Sequence, residues 1–253
     1  MPRILPFLVC AVLAPAAAAR AQSAVPVLIE LFTSEGCSSC PPADAWVRQL
    51  DARQPMPDEQ LIILSEHVDY WDRGGWKDPY SSHALTLRQQ AYARSLDLPD
   101  VYTPQLLVDG TDELKTTDPV RVARILAGDT SAAKIPVRIT SVTVDTATPR
   151  VLHARIEADG GPVSGDVYVA VALDHAQSDV LGGENQGRRL AYVAVVEDLT
   201  KIGKLEKRKN FSRDFQQKLG TGMDPSNLRI VAFVQQRGPG RVLGAAMRKA
   251  PFR

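Results

Sequence analysis

The order of apolar and polar positions along the first half of the chain predicts strands that alternate with helices. Apolar runs at residues 27–32 and 61–64 predict two buried strands, and residues 105–110 predict a third strand that ends in an Asp-Gly turn. Partial apolar stripes predict helices that begin near Pro41 and Ser81. Strands that alternate with helices are typical of an α/β layer fold.

A second hairpin strand and a third helix complete this predicted segment. Residues 113–116 would return alongside the third strand, and residues 118–126 would form the helix. Asp118 suits the N-cap of that helix and Pro119 suits its first position. The predicted order of elements is therefore β-α-β-α-β-β-α.

The pattern changes after Lys134, where short runs rich in valine and isoleucine are separated by glycine and proline turns. Such runs predict a mainly antiparallel, sandwich-like β domain. We therefore predict one α/β domain at residues 22–132 and a β-rich domain at residues 133–253. The strand-like runs are residues 135–144, 151–158, 166–173, 190–197 and 228–236.

The N-terminus has the pattern of a secretory signal peptide. Arg3 precedes an apolar run, and Ala19-Arg20-Ala21 has the small residues of a cleavage site. A membrane anchor is the alternative, but the run is too short to span a bilayer comfortably. We predict removal of residues 1–21, a periplasmic or secreted protein and no stable membrane anchor afterwards.

Composition and charge exclude some classes of partner. The chain has 44% hydrophobic and 23% charged residues, which is ordinary for a soluble globular protein. Its net charge is +1, and loss of two arginines with residues 1–21 would make it −1. Since the sequence shows no basic stripe, we predict no nucleic-acid partner.

The cysteine count points to a single functional pair. Cys10 lies in the predicted signal peptide, so the processed chain keeps only Cys37 and Cys40. Export would place this pair where disulfides persist. A disulfide between them closes a very short loop, which stabilises a fold least. A purely structural purpose is therefore the weaker explanation.

The motif Cys37-Ser38-Ser39-Cys40 follows a predicted strand and precedes a predicted helix. Redox chemistry needs an exposed first cysteine that is stabilised as a thiolate, and a second cysteine within reach of the mixed disulfide. A zinc site would need two further ligands, and no third cysteine remains. Pro41 and Pro42 favour a helix that begins near Pro41 over one that begins at Cys37, which would weaken stabilisation of a Cys37 thiolate by the helix.

Several motifs resemble those of a family of secreted thioredoxin-like proteins, domain of unknown function 1223. The resemblance covers essentially the whole processed chain and supplies no substrate. Its motifs are residues 30–44, the His67-Val68-Asp69-Tyr70-Trp71-Asp72 segment with Gly75-Trp76 and Asp78-Pro79, the Tyr102-Thr103-Pro104-Gln105 segment, and residues 183–188.

This resemblance implies a thioredoxin-like N-terminal domain followed by a β-rich extension. It implies that Cys37 is the attacking cysteine and Cys40 the resolving one. It also implies that Pro104 is a cis-proline that faces the cysteine pair and helps to hold a peptide substrate.

Two further residues each have a functional interpretation and a simpler structural one. Glu30 lies in an apolar strand and resembles the buried acid with which thioredoxins move protons for the resolving cysteine, or it could be a strand-edge glutamate that faces water. His67 follows the second strand and could complete a copper site with the two thiolates, but a hydrogen-bonded loop histidine is favoured.

Two loops each allow a functional and a structural interpretation. The aromatic residues at 69–80 could form a peptide-binding rim or pack the loop onto the protein. Residues 182–189 resemble a phosphate-binding loop only in glycine content, so a long hairpin loop is favoured.

These observations favour a thiol–disulfide oxidoreductase that acts through Cys37 and Cys40. We predict no cofactor and no metal. The expected partners are protein or peptide thiols and disulfides, together with an unidentified redox partner. Two alternatives stay open: a non-catalytic binding protein with a permanent Cys37–Cys40 disulfide, and a copper-handling protein.

Overall fold

The computed structural model describes residues 24–114 and 133–251, which form a mixed α/β structure dominated by strands. The predicted signal peptide, the helix at residues 118–126 and the domain boundary near residue 132 lie outside these residues. In chain order the elements are β1 (Val25–Thr33), α1 (Pro41–Arg53), β2 (Glu59–His67), α2 (His83–Ser95), β3 (Gln105–Val108), β4 (Asp112–Leu114), β5 (Val137–Val144), β6 (Val151–Ala158), β7 (Gly165–Asp179), β8 (Arg189–Leu205), β9 (Phe211–Lys218), β10 (Leu228–Gln235) and β11 (Val242–Lys249). Short 3₁₀ turns lie at Asp69–Trp71 and Pro225–Asn227.

Eight of the strands form one sheet, in the order β11-β10-β7-β8-β2-β1-β3-β4. β1 runs parallel to β2 and antiparallel to β3, so three strands of the first segment lie side by side. β2 meets β8 in parallel through a single residue pair, Ser65 and Val195. The Ser65 hydroxyl also donates to the carbonyl of Val193 at 2.8 Å, which adds a buried contact at this junction.

The large sheet crosses the predicted division of the chain. β1 to β4 come from the first predicted segment, whereas β7, β8, β10 and β11 come from the second. The second segment therefore extends the first segment's sheet, which its pattern of separate short strands did not indicate. The division at residues 22–132 and 133–253 stays a prediction, since its boundary is not among the described residues.

The two helices pack on opposite faces of the central strands. Val27, Ile29 and Leu31 of β1 contact Val47 and Leu50 of α1 on one face. The intervening positions turn to the other face, where α2 packs, because successive side chains of a strand alternate. Both faces of β1 are therefore buried, which explains its nearly continuous apolar sequence.

The remaining strands, β5, β6 and β9, form a small antiparallel sheet. Its apolar face includes Ile139, Leu152 and Ile156 and packs against Val169 of β7 and Ile230 of β10. Part of the β-rich segment is thus two sheets packed face to face, as its strand pattern predicts. Neither α-helix of the described residues is long and apolar enough to cross a membrane.

Candidate functional site

The cysteine pair lies in the connection between β1 and α1. Cys37 and Cys40 are joined by a disulfide, and their Cα atoms are 5.5 Å apart. Cys40 immediately precedes α1, and its carbonyl accepts from the N–H groups of Ala43 and Asp44 at 2.9 and 3.1 Å. Because prolines need no hydrogen-bond partner at the first helical positions, Pro41 and Pro42 fit this start. The prediction that the helix begins near Pro41 is confirmed, and Cys37 lies before the helix.

Both cysteines are fully buried, at 0% exposure. The expectation that the first cysteine of the pair is exposed is therefore wrong for this disulfide form. The Ser39 hydroxyl donates to Cys37 Sγ at 3.3 Å, and the carbonyl oxygen of Thr103 lies 3.7 Å from the same sulfur. Since Ser38 and Ser39 themselves are exposed, the pair lies directly beneath the surface.

The structure brings the predicted proline segment to the cysteine pair. The Thr103–Pro104 peptide bond is cis, as predicted, and Pro104 precedes β3. Trp71 fixes this segment, because its indole N–H donates to the Thr103 hydroxyl at 2.8 Å. A Cβ atom on Gly36 would lie 3.0 Å from the Cβ of Trp71, so the loop that carries the cysteines packs tightly against the segment at residues 69–80.

The structure places Glu30 away from the cysteines. Glu30 accepts from the Nε of Arg88 at 2.6 Å and from the hydroxyl of Tyr92 at 2.5 Å. Both partners belong to α2, whereas Cys40 caps α1 on the opposite face of the sheet. Glu30 is fully buried, so the alternative of a water-facing glutamate is wrong. Its contacts with Arg88 and Tyr92 give the proton-transfer hypothesis no support.

A second loop, which the sequence interpretation left without a role, covers the cysteine pair. We call residues 180–188, between β7 and β8, the covering loop. The side-chain amide of Asn185 donates to the carbonyls of Glu35 and Cys37, each at 2.9 Å, and Asn185 is fully buried. The Glu184 carboxylate accepts from the Ser38 N–H at 3.0 Å. Hydrogen bonds from the side chain and the backbone N–H of Ser38 lower the pKa of Glu184.

The sequence indicated the covering loop only through its resemblance to a family motif. Residues 183–188 stood out by resemblance, but the partners of Asn185 lie 148 and 150 residues earlier in the chain. No local periodicity reports a contact over that separation. The covering loop also lies close to the segment at residues 69–80, since a Cβ atom on Gly182 would lie 2.6 Å from the carbonyl oxygen of Gly75.

Beneath the cysteine loop lies a buried set of ionisable groups. His67 Nδ1 is 2.7 Å from Asp78 Oδ2, which also accepts from the Glu35 N–H at 2.8 Å. The Trp76 indole donates to Glu35 Oε2 at 2.7 Å. Burial opposes charge on both His67 and Asp78, but their mutual attraction outweighs it. The pKa of His67 is raised and that of Asp78 is lowered.

These contacts favour the simpler explanations for His67 and for two of the aromatic residues. His67 is a buried, hydrogen-bonded histidine, and its ring packs edge-on against Tyr80 and Tyr192. Among residues 24–114 and 133–251, no three His, Cys, Asp or Glu side chains are arranged to hold a metal ion. This arrangement gives the copper hypothesis no support. Trp76 and Tyr80 pack against the buried cluster around Tyr192, as the packing alternative predicts.

Asp44 is the ionisable group nearest in sequence to Cys40 on α1. It is 3% exposed, and the Thr33 hydroxyl donates to its Oδ1 at 2.9 Å. Burial raises the pKa of Asp44 to about 7, against the opposing effects of His67 and Thr33. The folded protein therefore holds a proton on Asp44 between about pH 4 and 7, where an unfolded chain releases it.

We expect Asp44→Asn to change the pH dependence of stability. Proton release by the unfolded chain lowers the wild-type free energy of unfolding as the pH rises toward 7, whereas the neutral amide has no such penalty. The advantage of Asp44→Asn over the wild type should grow by about 2–3 kcal/mol between pH 5 and 8. Urea unfolding of the oxidised proteins at both pH values measures it. The exposed Asp112→Asn change is the control, and an advantage that does not vary with pH would contradict the assignment.

The fold and the site together define a mixed α/β protein with a buried CxxC disulfide before a helix. The family described as a protein of unknown function, DUF1223, matches residues 28–235, and the chain belongs to this family. No curated protein matches the chain.

Two solved structures resemble the chain. A crystal structure of an Agrobacterium tumefaciens protein from a structural genomics programme is 27% identical, with a TM-score of 0.69, over 90% of this chain and 96% of that one. A domain of the outer membrane lipoprotein Omp28 from Porphyromonas gingivalis is 17% identical, with a TM-score of 0.26, over 46% of this chain and 88% of that one. The first similarity supports the mixed α/β architecture, and the second is too low to support any argument.

Proposed function

We propose that this protein is an exported thiol–disulfide oxidoreductase that acts through Cys37 and Cys40. The observation that carries the proposal is the Cys37–Cys40 disulfide before α1, with the Thr103 carbonyl 3.7 Å from Cys37 Sγ. A disulfide that closes such a short loop stabilises a fold little, so exchange chemistry is the better reason for it. The substrates are protein or peptide thiols and disulfides, and an unidentified redox partner recycles the pair.

The exchange proceeds in two steps. A substrate thiolate attacks Cys37 Sγ, which breaks the Cys37–Cys40 bond, forms a mixed disulfide and releases Cys40 as a thiolate that takes up a proton. A second substrate thiolate attacks the substrate sulfur of the mixed disulfide and expels the Cys37 thiolate. The substrate becomes a disulfide, and two electrons pass to the cysteine pair. The reverse sequence reduces a substrate disulfide.

We propose that β1, α1, β2, α2, β3 and β4 form a thioredoxin-like unit. Parallel pairing of β1 with β2, antiparallel pairing of β1 with β3, and helices on both faces support it. In this unit Pro104 follows the carbonyl that faces Cys37, where it would border a bound peptide.

We also propose that the protein is exported from the cytoplasm. The signal-like pattern at residues 1–21 supports removal of that segment and a periplasmic or extracellular location. A disulfide that persists between the only two cysteines of the processed chain is consistent with an oxidising compartment. Mass spectrometry of protein exported by its native host should find a start near Gln22.

Access to Cys37 requires movement of the covering loop. Asn185 ties this loop to the carbonyls on both sides of Gly36, and Glu184 ties it to Ser38. A large substrate cannot reach a sulfur that is fully buried beneath these contacts. We therefore propose that the loop opens during exchange and favours substrates that displace Glu184 from the Ser38 N–H.

We expect Asn185→Ala to accelerate reduction of the disulfide by a thiol-bearing peptide about 30-fold, because two hydrogen bonds of roughly 1 kcal/mol each hold the loop closed. Reduction by a small dithiol should accelerate less. Stopped-flow measurements with both reductants test this, and Gln186→Ala on the same loop is the matched control. Equal rates for Asn185→Ala and the wild type with the peptide would show that the loop does not limit access.

One observation favours a second function. Complete burial of both cysteines is also what a permanent disulfide in a non-catalytic binding protein would show. Catalysed exchange separates the two functions. With a disulfide-bonded peptide and excess small dithiol, an oxidoreductase accelerates peptide reduction in proportion to its concentration. A rate that stays at the uncatalysed background at every protein concentration would favour the binding protein.

A further inference from the structure

A surface cavity of about 330 Å³ lies beside the cysteine pair, between the start of α1 and the start of β8. Pro41, which directly follows Cys40, forms part of its wall, and Asp44 and Tyr192 lie deeper in it. The opposite wall is connected to Cys37 through hydrogen bonds. Arg188 lines the cavity and donates to Asn185 Oδ1 at 2.8 Å, and Asn185 in turn donates to the Cys37 carbonyl.

Three guanidinium groups surround this cavity, from Arg48, Arg188 and Arg189. All three residues are exposed. Arg189 donates to Gln177 Oε1 at 2.8 Å, and its Nε lies 3.9 Å from a carboxylate oxygen of Asp179. Each guanidinium has five N–H donors, more than these contacts use. Three arginines around one small cavity are a local concentration of positive charge in a chain whose net charge is only +1.

Tyr192 forms part of the inner wall of the cavity and is 2% exposed. Its hydroxyl is buried away from the cavity space and has no hydrogen-bond partner among the described residues. The arginine side chains are therefore the donors that a ligand in the cavity would meet.

We propose that this cavity, which we call the arginine cavity, binds the carboxylate of a small thiol or disulfide substrate whose sulfur reacts at the Cys37–Cys40 pair. Guanidinium groups are donors that suit a carboxylate, which accepts hydrogen bonds through both of its oxygens. The volume admits a small acidic molecule or a chain end. The substrate class rests on the proposed oxidoreductase function, but the binding of a carboxylate does not.

Three small disulfides of matched length and different charge test the proposal: dithiodipropionate (anionic), dithiodiethanol (neutral) and cystamine (cationic). Each is mixed with the reduced protein. The S–S bond of the probe breaks, the Cys37–Cys40 bond forms, and the two probe thiols leave with the protons of the two cysteines. At low ionic strength we expect the anionic probe to react about tenfold faster than the neutral one, and the cationic probe to react slowest.

The arginine variants show where this preference arises. Arg48→Gln combined with Arg189→Gln should remove most of the anionic preference. The control combines Arg53→Gln with Arg94→Gln, which removes the same charge from exposed sites on the two helices outside the cavity, and should keep the preference. A preference that the cavity variant keeps, or equal rates for all three probes, would overturn the arginine cavity and leave the oxidoreductase standing.

A non-reactive probe separates the two proposals. Suberate has the length and charges of dithiodipropionate but no disulfide, so its binding to the oxidised protein needs no redox chemistry. Calorimetry should detect binding to the wild type and to the control, and none to the cavity variant. If no probe oxidises the reduced protein but suberate binds in this pattern, the oxidoreductase fails and the carboxylate site stands. If suberate does not bind the wild type, the carboxylate site fails.

Discussion

Replacing Cys37 with serine is expected to reduce catalysed reduction of a disulfide-bonded peptide to the uncatalysed background. In the proposed mechanism Cys37 Sγ, which lies 3.7 Å from the Thr103 carbonyl oxygen, is the atom that enters the mixed disulfide. Cys40→Ser should also stop turnover but for a different reason. Without the resolving thiol, the mixed disulfide between Cys37 and the peptide accumulates and can be counted by mass spectrometry.

The contrast between the two variants is the informative result. Arg53→Gln, at the exposed far end of α1, keeps both sulfurs and should turn over like the wild type. Both cysteine variants should stay folded, because the disulfide closes a very short loop. Trapping on Cys40 in Cys37→Ser and none on Cys37 in Cys40→Ser would reverse the assigned roles of the cysteines.

Replacing Arg88 with methionine is expected to destabilise the protein by about 3–5 kcal/mol, the usual cost of removing one partner from a buried ion pair. Arg88 binds Glu30 and donates to the hydroxyl of Tyr92 at 3.0 Å. Glu66 lies beside this pair, and its pKa is raised well above the ordinary value, first by burial and then by the charge of Glu30. Without Arg88, two buried carboxyl groups have lost the cation that faces them.

Urea unfolding at pH 7 measures this loss. Arg94→Met removes an exposed arginine from the same helix and should change the free energy of unfolding by less than about 0.5 kcal/mol. A loss below about 1 kcal/mol for Arg88→Met would show that the ion pair with Glu30 contributes little to stability. The contacts of α2 with the sheet would then depend little on the polar network that Arg88, Glu30, Glu66 and Tyr92 form.

The sequence predicts the central elements because their apolar patterns are strong. The runs at residues 27–32 and 61–64 lie within β1 and β2, and Pro41 begins α1 as its chemistry requires. The apolar pattern did not predict two of the observed strands, β9 and β11. β9 buries only Phe215, since it is the edge of the small sheet, and β11 contains small residues that give a weak pattern.

The face of Glu30 could not be predicted from its own strand. Both faces of β1 are buried, so the apolar pattern does not show which helix each side chain meets. The structure decides this through Ile29 and Leu31, which face α1 and leave Glu30 with α2.

The site could be predicted only where it is local in sequence. Cys37, Cys40 and the helix start are within eight residues, and Pro104 was added by resemblance. Asn185 and Tyr192 reach the site because β8 joins the large sheet beside β2. That pairing is a property of the folded sheet and leaves no signal in the spacing of residues.

The reduction potential of the Cys37–Cys40 pair tests the central claim most directly. Equilibration of the protein with thiol–disulfide buffers of known ratio, followed by alkylation and mass spectrometry, gives the fraction of the pair that is reduced. An oxidoreductase requires a potential above about −300 mV, so that substrates and the recycling partner can exchange electrons with the pair. A potential below about −300 mV, with no mixed disulfide formed at any buffer ratio, would show that the disulfide is permanent and contradict the proposed function.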